Sequence, residues 1–388
     1  MKTSLREPLL MLGVFALFTG KVSAQNNFIY TNNNPSGPNT VSGYSVAGDG
    51  SLTPVPGSPF VTIGVGTGNG FFASSRITAS AAGNFLYVAN AGSDDVSVFS
   101  IDPGTGALTL VPGSPFDTGG ASGQGISLAA TPDNRFLFAG NVLSQKITVF
   151  AINPDGSLSR TGDPVFAAGQ PNGVKVTPDG RFLVAVLANV GPHASVVVFG
   201  IGSDGTLTPR FPFPIRPFGG PDGTGAGIDI SCDSTTIAVG EARSAGTTLV
   251  DVLTLDPDTG ALGPIAGSPF DGGSGLNSNV PLFSPDDSIL FVSNQNNSMV
   301  TSFGVDPSDH HLTFVGTFPA GGATPAGMAT DAAGTFLYAA KFPNTISVFT
   351  IGDAGTLSLT STTIQSGSLG LESLTAFPAK SCSGSSAR

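Results

Sequence analysis

No tryptophan occurs in the 388 residues, cysteine appears twice, histidine three times, and only 11% of the chain is charged. So few cysteines and histidines supply no metal-ligand spacing, so no metal and no cofactor is expected. Lys and Arg total 15 against 26 acidic residues, a formal charge of −11. That balance argues against nucleic acid as a partner, because phosphate binding needs clustered Lys and Arg. Phosphate-loop, dinucleotide, HExxH and GxSxG signatures are all missing. Low charge combined with 40% hydrophobic residues also excludes a disordered chain, in which charge is high and hydrophobicity low.

Glycine and proline are abundant instead, 54 and 30 residues, without a collagen period. Such a composition belongs to a turn-rich, all-β protein. The start reads as a secretory signal peptide over residues 1–24: Lys2 and Arg6, an apolar stretch from Leu9 to Gly20, then Val22-Ser23-Ala24 as the cleavage site. Export to the periplasm or the medium is expected, with cleavage after Ala24, no membrane span in the mature chain and a monomer. An oxidising address permits a disulfide between Cys232 and Cys382, though one widely separated pair prescribes nothing.

A unit seen as Phe85 to Phe116 repeats along the mature chain. Its opening returns at Phe28-Ile29-Tyr30, Phe136-Leu137-Phe138, Phe182-Leu183-Val184, Ile237-Ala238-Val239, Leu290-Phe291-Val292 and Phe336-Leu337-Tyr338. Seven strand-rich units of about 50 residues predict a propeller with one blade per unit. Each unit reads as four strands. Gly173 to Thr177 is a first strand, followed by a Pro178-Asp179-Gly180 turn and an aromatic-opened second strand. Val96 to Phe99 alternates apolar residues as a third strand, and Asp102 to Gly106 turns back into a fourth. The chain enters at a second strand and ends with an orphan first strand, Leu371 to Phe377. The expectation is a seven-bladed β-propeller of four-stranded antiparallel blades over 25–380, closed by that C-terminal strand, with 381–388 as a tail.

In such a ring the inter-blade loops and the loops between second and third strands share one face, the loop face. The remaining turns share the other, the turn face. Most of the 23 Asp fall in turns, where the side chain bonds its own backbone. Only two Glu remain after the leader, Glu241 following a second strand and Glu372 opening the closing strand. Both map to the loop face, with Arg76 near the start of an inner strand and His193, Arg216 and Arg243 in loops. Lys175 and Asp229 hold equivalent positions on adjacent inner strands and are expected to pair across blades. Asn90, Asn141 and Asn294 recur at one blade position, as a loop-shaping residue does. His310 and His311 fall in a turn on the opposite face and are expected to be solvated.

Leu86-Tyr87-Val88-Ala89-Asn90, followed by Val96-Ser97-Val98-Phe99 and the Asp-Gly turns, resembles the lactonase family of seven-bladed propellers. That family includes bacterial 6-phosphogluconolactonase and shades into YVTN-type repeat proteins. The resemblance covers residues 28 to about 378. It implies lactone hydrolysis, with a Glu after a second strand, matched by Glu241, and an Arg-His pair at the start of an inner strand. The slots for that pair read Gly125, Gly173, Gly227, Asn279 and Gly327. Two readings follow. The first is an exported module that binds a small molecule, a glycan or a protein on its loop face, with His193, Arg216, Glu372, Lys175 and Asp229 as contacts. The alternative is a lactone hydrolase with Glu241 as base and Arg243 or Arg76 stabilising the oxyanion.

Overall fold

The structure is a computed structural model that describes residues 27–68, 73–121, 123–188, 195–210, 223–243, 249–272, 278–322, 325–364, 373–380 and 382. The leader expected over 1–24 lies outside them. Seven antiparallel sheets are arranged as a ring. Their first strands touch in sequence round the axis, from Ile77–Ala79 through Ile126–Ala130, Gln170–Val176, Gly223–Ile230, Ser278–Phe283 and Pro325–Thr330 to Ser373–Phe377. No α-helix occurs among the described residues. The architecture is the expected seven-bladed propeller, and the count is seven.

Closure occurs as the sequence suggests. Ser373–Phe377 pairs with Phe28–Asn32 in strict antiparallel register, Phe28 against Phe377 and Asn32 against Ser373. The last strand thus becomes the innermost strand of blade one, and no inner edge is left open to other chains.

The blades stack through seven apolar clusters, one at each blade-to-blade contact. Phe138, Phe199 and Leu183 fill the contact between blades three and four. Phe28, Phe99 and Phe377 fill that between one and two. With no tryptophan available, fully buried phenylalanines and tyrosines carry the large packing; burying one such ring stabilises by about 1.5–3 kcal/mol.

The fourth strand needs one refinement. In blades one, two, three and five it is split, so that a second short piece pairs with the other half of the third strand. Leu108–Leu110 and Phe116–Asp117 both lie along Asp95–Ile101. In blades one, two and five the break is the Gly-Ser-Pro-Phe sequence, whose serine hydroxyl accepts a backbone N–H of the third strand: Gly43 to Ser58, Val98 to Ser114, Val252 to Ser268. Blades six and seven lack this sequence, and their fourth strands, Leu312–Pro319 and Leu357–Ile364, run unbroken apart from one bulge each.

The turns joining first and second strands share another device. A Ser, Thr or Asp side chain accepts the N–H of the residue that opens the second strand: Phe85 to Ser80, Phe136 to Thr131, Phe182 to Thr177, Thr236 to Ser231, Ile289 to Ser284, Phe336 to Asp331. This fixes where each second strand begins, and therefore which residue reaches its loop-face end.

Candidate functional site on the loop face

Counting from that start, the loop-face end of every second strand presents one slot. Asn33, Asn90, Asn141 and Asn294 fill it in blades one, two, three and six. Each amide donates to a hydroxyl on the third strand: Ser42 at 2.9 Å, Ser97 at 2.8 Å, Thr148 at 3.1 Å and Thr301 at 2.6 Å. In blades two, three and six the hydroxyl then donates to a carbonyl of the chain arriving from the preceding blade, Thr62, Thr118 or Gly272, at 2.6–2.7 Å. The repeated Asn is therefore a latch between blades, consistent with a shaping role.

Three blades depart from the latch. Blade four puts Leu187 opposite Ser195 in the slot and buried Val197 where the hydroxyl would be. Blade seven puts Lys341 there, fully buried, with Nζ donating to Ala320 O (2.8 Å) and Gly321 O (3.1 Å). Burial pushes its ammonium below the ordinary lysine value. Ser347 donates to the same Ala320 carbonyl.

Blade five puts Glu241 in the slot and Asp251 in the hydroxyl position, with Val239 directly opposite Asp251. Both carboxylates are fully buried. Neither oxygen of Glu241 finds a hydrogen-bond partner among the described residues. The amide and hydroxyl of the latch have thus been exchanged for two carboxylates in diagonal cross-strand positions. A buried carboxylate without a hydrogen bond costs several kcal/mol. Strand Thr236–Arg243 includes Glu241, which corrects its expected place after the strand: the side chain belongs to the latch slot, not to a loop.

Arg76 is equally buried, and its backbone is locked into the closure. Its N–H donates to Ser373 Oγ (3.1 Å), and its carbonyl accepts from Ala89 N–H (2.8 Å) and Asn32 Nδ2 (3.2 Å). Arg76 belongs to blade two and Glu241 to blade five, so the two can share a ligand only across the axis. Arg243 ends its strand, but its side chain lies outside the described residues, as do His193, Arg216 and Glu372. At this mouth blades two and four meet directly: Ser74 N–H donates to Asn172 O at 2.8 Å, and Asn172 Nδ2 reaches Gly225 O at 3.1 Å.

Lys175 and Asp229 pair as expected, Nζ to Oδ1 at 2.9 Å, with the Asp229 side chain 3% exposed and that of Lys175 42%. They stand near the turn-face ends of their strands, so they are not contacts of the loop face. Burial pushes the Asp229 carboxyl up, but Lys175, Lys380 and the Phe283 N–H outweigh it and hold the group below its ordinary value. Depressions of about 420 and 360 Å³ lie on the turn face, lined by Thr235, Asp256 and His310 and by Asp133, Arg135 and Asp179. Neither contains a candidate residue. His310 is half-buried against Thr236, and exposed His311 sits edge-on to Phe270, so neither is simply solvated. Sequence reasoning missed Asp251, Lys341, Lys380 and Asp287; the first two become visible once the repeats are aligned on the slot.

The family model for "Lactonase, 7-bladed beta-propeller" matches residues 21–175 and 248–371, well over half of the chain. The chain belongs to this family. The matched lactonase segments leave out 176–247, the stretch that carries His193, Arg216, Glu241 and Arg243. No curated protein matches the chain. Among solved structures, a Bacteroides fragilis protein provisionally assigned as a 6-phosphogluconolactonase is 21% identical, with 92% of this chain and 99% of that one covered at a TM-score of 0.70. A Bacteroides uniformis protein of the same provisional assignment is 18% identical, covering 91% and 99% at 0.73. The periplasmic gluconolactonase of Pseudomonas aeruginosa is 20% identical, covering 91% and 98% at 0.69. At these identities the likeness speaks for the fold.

Proposed function

We propose that this lactonase-family propeller hydrolyses a sugar lactone outside the cytoplasm, with Glu241 as the general base that takes a proton from the attacking water. The observation that carries the reading is the buried Glu241 carboxylate, which finds no hydrogen-bond partner among the described residues, in a slot that four other blades fill with a satisfied Asn. Unsatisfied buried carboxylates cost stability and concentrate where chemistry needs them. A structural relative that is a periplasmic gluconolactonase makes an exported address compatible with an unphosphorylated sugar lactone as substrate. Water would add to the ring carbonyl, the ester C–O bond would break, and the leaving ring oxygen would take a proton as the hydroxy acid forms.

A second reading, an exported module that binds a glycan, small molecule or protein without chemistry, is favoured by two observations. Glu241 is fully buried, and the inner-strand slots read Gly125, Gly173, Gly227, Asn279 and Gly327 in place of an Arg-His pair.

One experiment separates them. Residues 25–388 are assayed by proton release on glucono-δ-lactone, galactono-γ-lactone and a 6-phosphorylated lactone, with spontaneous hydrolysis subtracted and Glu241→Gln run in parallel. Turnover that collapses in the variant supports the hydrolase with Glu241 as base. Turnover equal in both proteins keeps the hydrolase and removes Glu241 from it. No turnover leaves the binding reading, which a glycan and protein panel then pursues.

A further inference from the structure

The chain does not stop where the ring closes. Ser373–Phe377 is the inner strand of blade one, yet Cys382 is bonded to Cys232 in the first turn of blade five. Blade five stands three steps round a seven-membered ring from blade one. Five residues extend no further than about 17 Å, so the link from Phe377 to Cys382 must be short, and it carries Lys380 into the turn-face mouth of the axis.

Lys380 places its ammonium against the blade-five and blade-six ends at that mouth. Nζ donates to Phe283 O at 3.1 Å and lies 3.7 Å from Asp287 Oδ1 and 4.0 Å from Asp229 Oδ2. It also stands 5.9 Å from the centre of the Phe283 ring. Cys232 N–H donates to Asp287 Oδ2 at 2.6 Å, so the half-cystine and the lysine share one carboxylate. The charged groups facing Lys380 are Asp229 and Lys175 from two inner strands, Asp287 from the blade-six turn and Asp233 beside it. Burial pushes Lys380 below the ordinary lysine value and Asp287 above the ordinary carboxylate value.

We propose that Pro378–Lys380 and Cys382 form a strap released by reduction, in which the Cys232–Cys382 disulfide holds Lys380 in the turn-face mouth. The two carboxylate contacts of Lys380 are long, and its seat is costly to desolvate. Ordering a segment that lies outside the sheets for such contacts alone carries a large entropic penalty. The disulfide removes that penalty by keeping the lysine at high local concentration beside its seat. Release needs a dithiol: its two thiols give up two electrons and two protons, it closes to a cyclic disulfide, and Cys232 and Cys382 become free thiols. The strap is independent of the lactonase reading and holds equally for a binding module.

The test is a short pulse of an amine-acetylating reagent on folded mature chain, read residue by residue by mass spectrometry. Exposed Lys146 reports free reactivity, and buried Lys341 reports whether the blades stay folded. With the disulfide intact, Lys380 should label about tenfold more slowly than Lys146. After dithiothreitol, and in Cys382→Ser without reductant, it should approach the rate of Lys146 while Lys341 stays protected. Fast labelling of Lys380 in the oxidised chain overturns the seat. Protection that persists after reduction overturns the latch. Joint labelling of Lys380 and Lys341 overturns release as a local event.

Discussion

Thr236 Oγ1 and His310 Nδ1 lie 2.7 Å apart, and they stand in for a contact that the other six blades make in a different way. The residue opening each second strand packs under the turn between third and fourth strands of the next blade. Phe28 meets Gly106, Phe85 Gly156, Phe136 Gly205, Phe182 Gly260, Ile289 Gly355 and Phe336 Gly50. All six glycines have positive φ, between 72° and 86°. A large side chain pressed against the backbone and a left-handed turn both demand glycine there. In blade five the opening residue is Thr236, which is small, and the turn of blade six carries His310 at φ 60° in the same position.

Substitution tests this complementarity. A Cβ at Gly205 or Gly260 would stand 2.7 Å from the rings of Phe136 or Phe182, so Gly205→Ala and Gly260→Ala should each lose about 1–3 kcal/mol. His310→Ala removes one hydrogen bond at a half-buried position and should cost about 1 kcal/mol. Urea unfolding midpoints of the three variants give the order; equal losses would contradict it.

Which parts of the molecule were legible follows from the same contacts. The seven strand openings, the Asp turns and Gly-Ser-Pro-Phe are local chemistry repeated in register, so the blade count and the closure by the strand that ends at Phe377 could be read directly. Glu241 was noticed because Glu is scarce, but its environment was hidden: that its carboxylate is fully buried with no hydrogen-bond partner among the described residues shows only in the folded chain. The course of the tail was not legible at all. Nothing in Pro378–Cys382 names Asp229, Asp287 or Phe283, which lie about 100 to 150 residues upstream, and Cys232 alone did not show that the strap enters the mouth.

Acid should loosen the protein through its turns. Asp49, Asp102, Asp155, Asp204, Asp256 and Asp306 accept bonds from backbone N–H or hydroxyl groups two or three residues on and are held below the ordinary carboxylate value. A lowered folded pKa contributes stability that is present above the unfolded value, near 3.8, and is lost as pH falls through the folded one. The melting temperature should therefore be flat from pH 7 to about 5 on this account and fall steadily below about 4. Asp102→Asn and Asp256→Asn should each flatten part of that fall.

Asp229 is the carboxylate that the turn-face mouth depends on. It faces Lys175 and Lys380 and accepts the Phe283 N–H. Asp229→Asn would leave two cations without their shared partner; removing one side of a buried pair costs about 3–5 kcal/mol. Because the Lys175 side chain is 42% exposed and that of Lys380 20%, water recovers part of this, and a loss of about 2–3 kcal/mol is expected. Lys175→Met alone should cost distinctly less, since Lys380 still serves Asp229. Denaturant unfolding of both variants checks the ranking.

Reduction should cost more than the seating of one lysine. The Cys232–Cys382 bridge closes 150 residues, for which the chain-entropy argument gives about 5 kcal/mol and typical measured bridges 2–4 kcal/mol. Cys232→Ala/Cys382→Ala should therefore unfold at a clearly lower denaturant concentration, with the native β-sheet signal intact in buffer. A midpoint unchanged within error would mean that the closing strand Ser373–Phe377 already confines the segment that follows it.

The sharpest separation of stability from function lies in blade five. Glu241→Asn with Asp251→Thr would rebuild the latch of blades two, three and six, replacing two buried acceptors by a donor and a hydroxyl. If the Glu241 carboxylate is kept for chemistry, the double variant should lose lactone turnover while the rebuilt latch gains about 0.5–2 kcal/mol. Glu241→Asn alone should recover less, because it leaves Asp251 in the hydroxyl position. A double variant that is destabilised and keeps its lactone turnover would show that the pair serves the architecture, and the hydrolase would then lose its base.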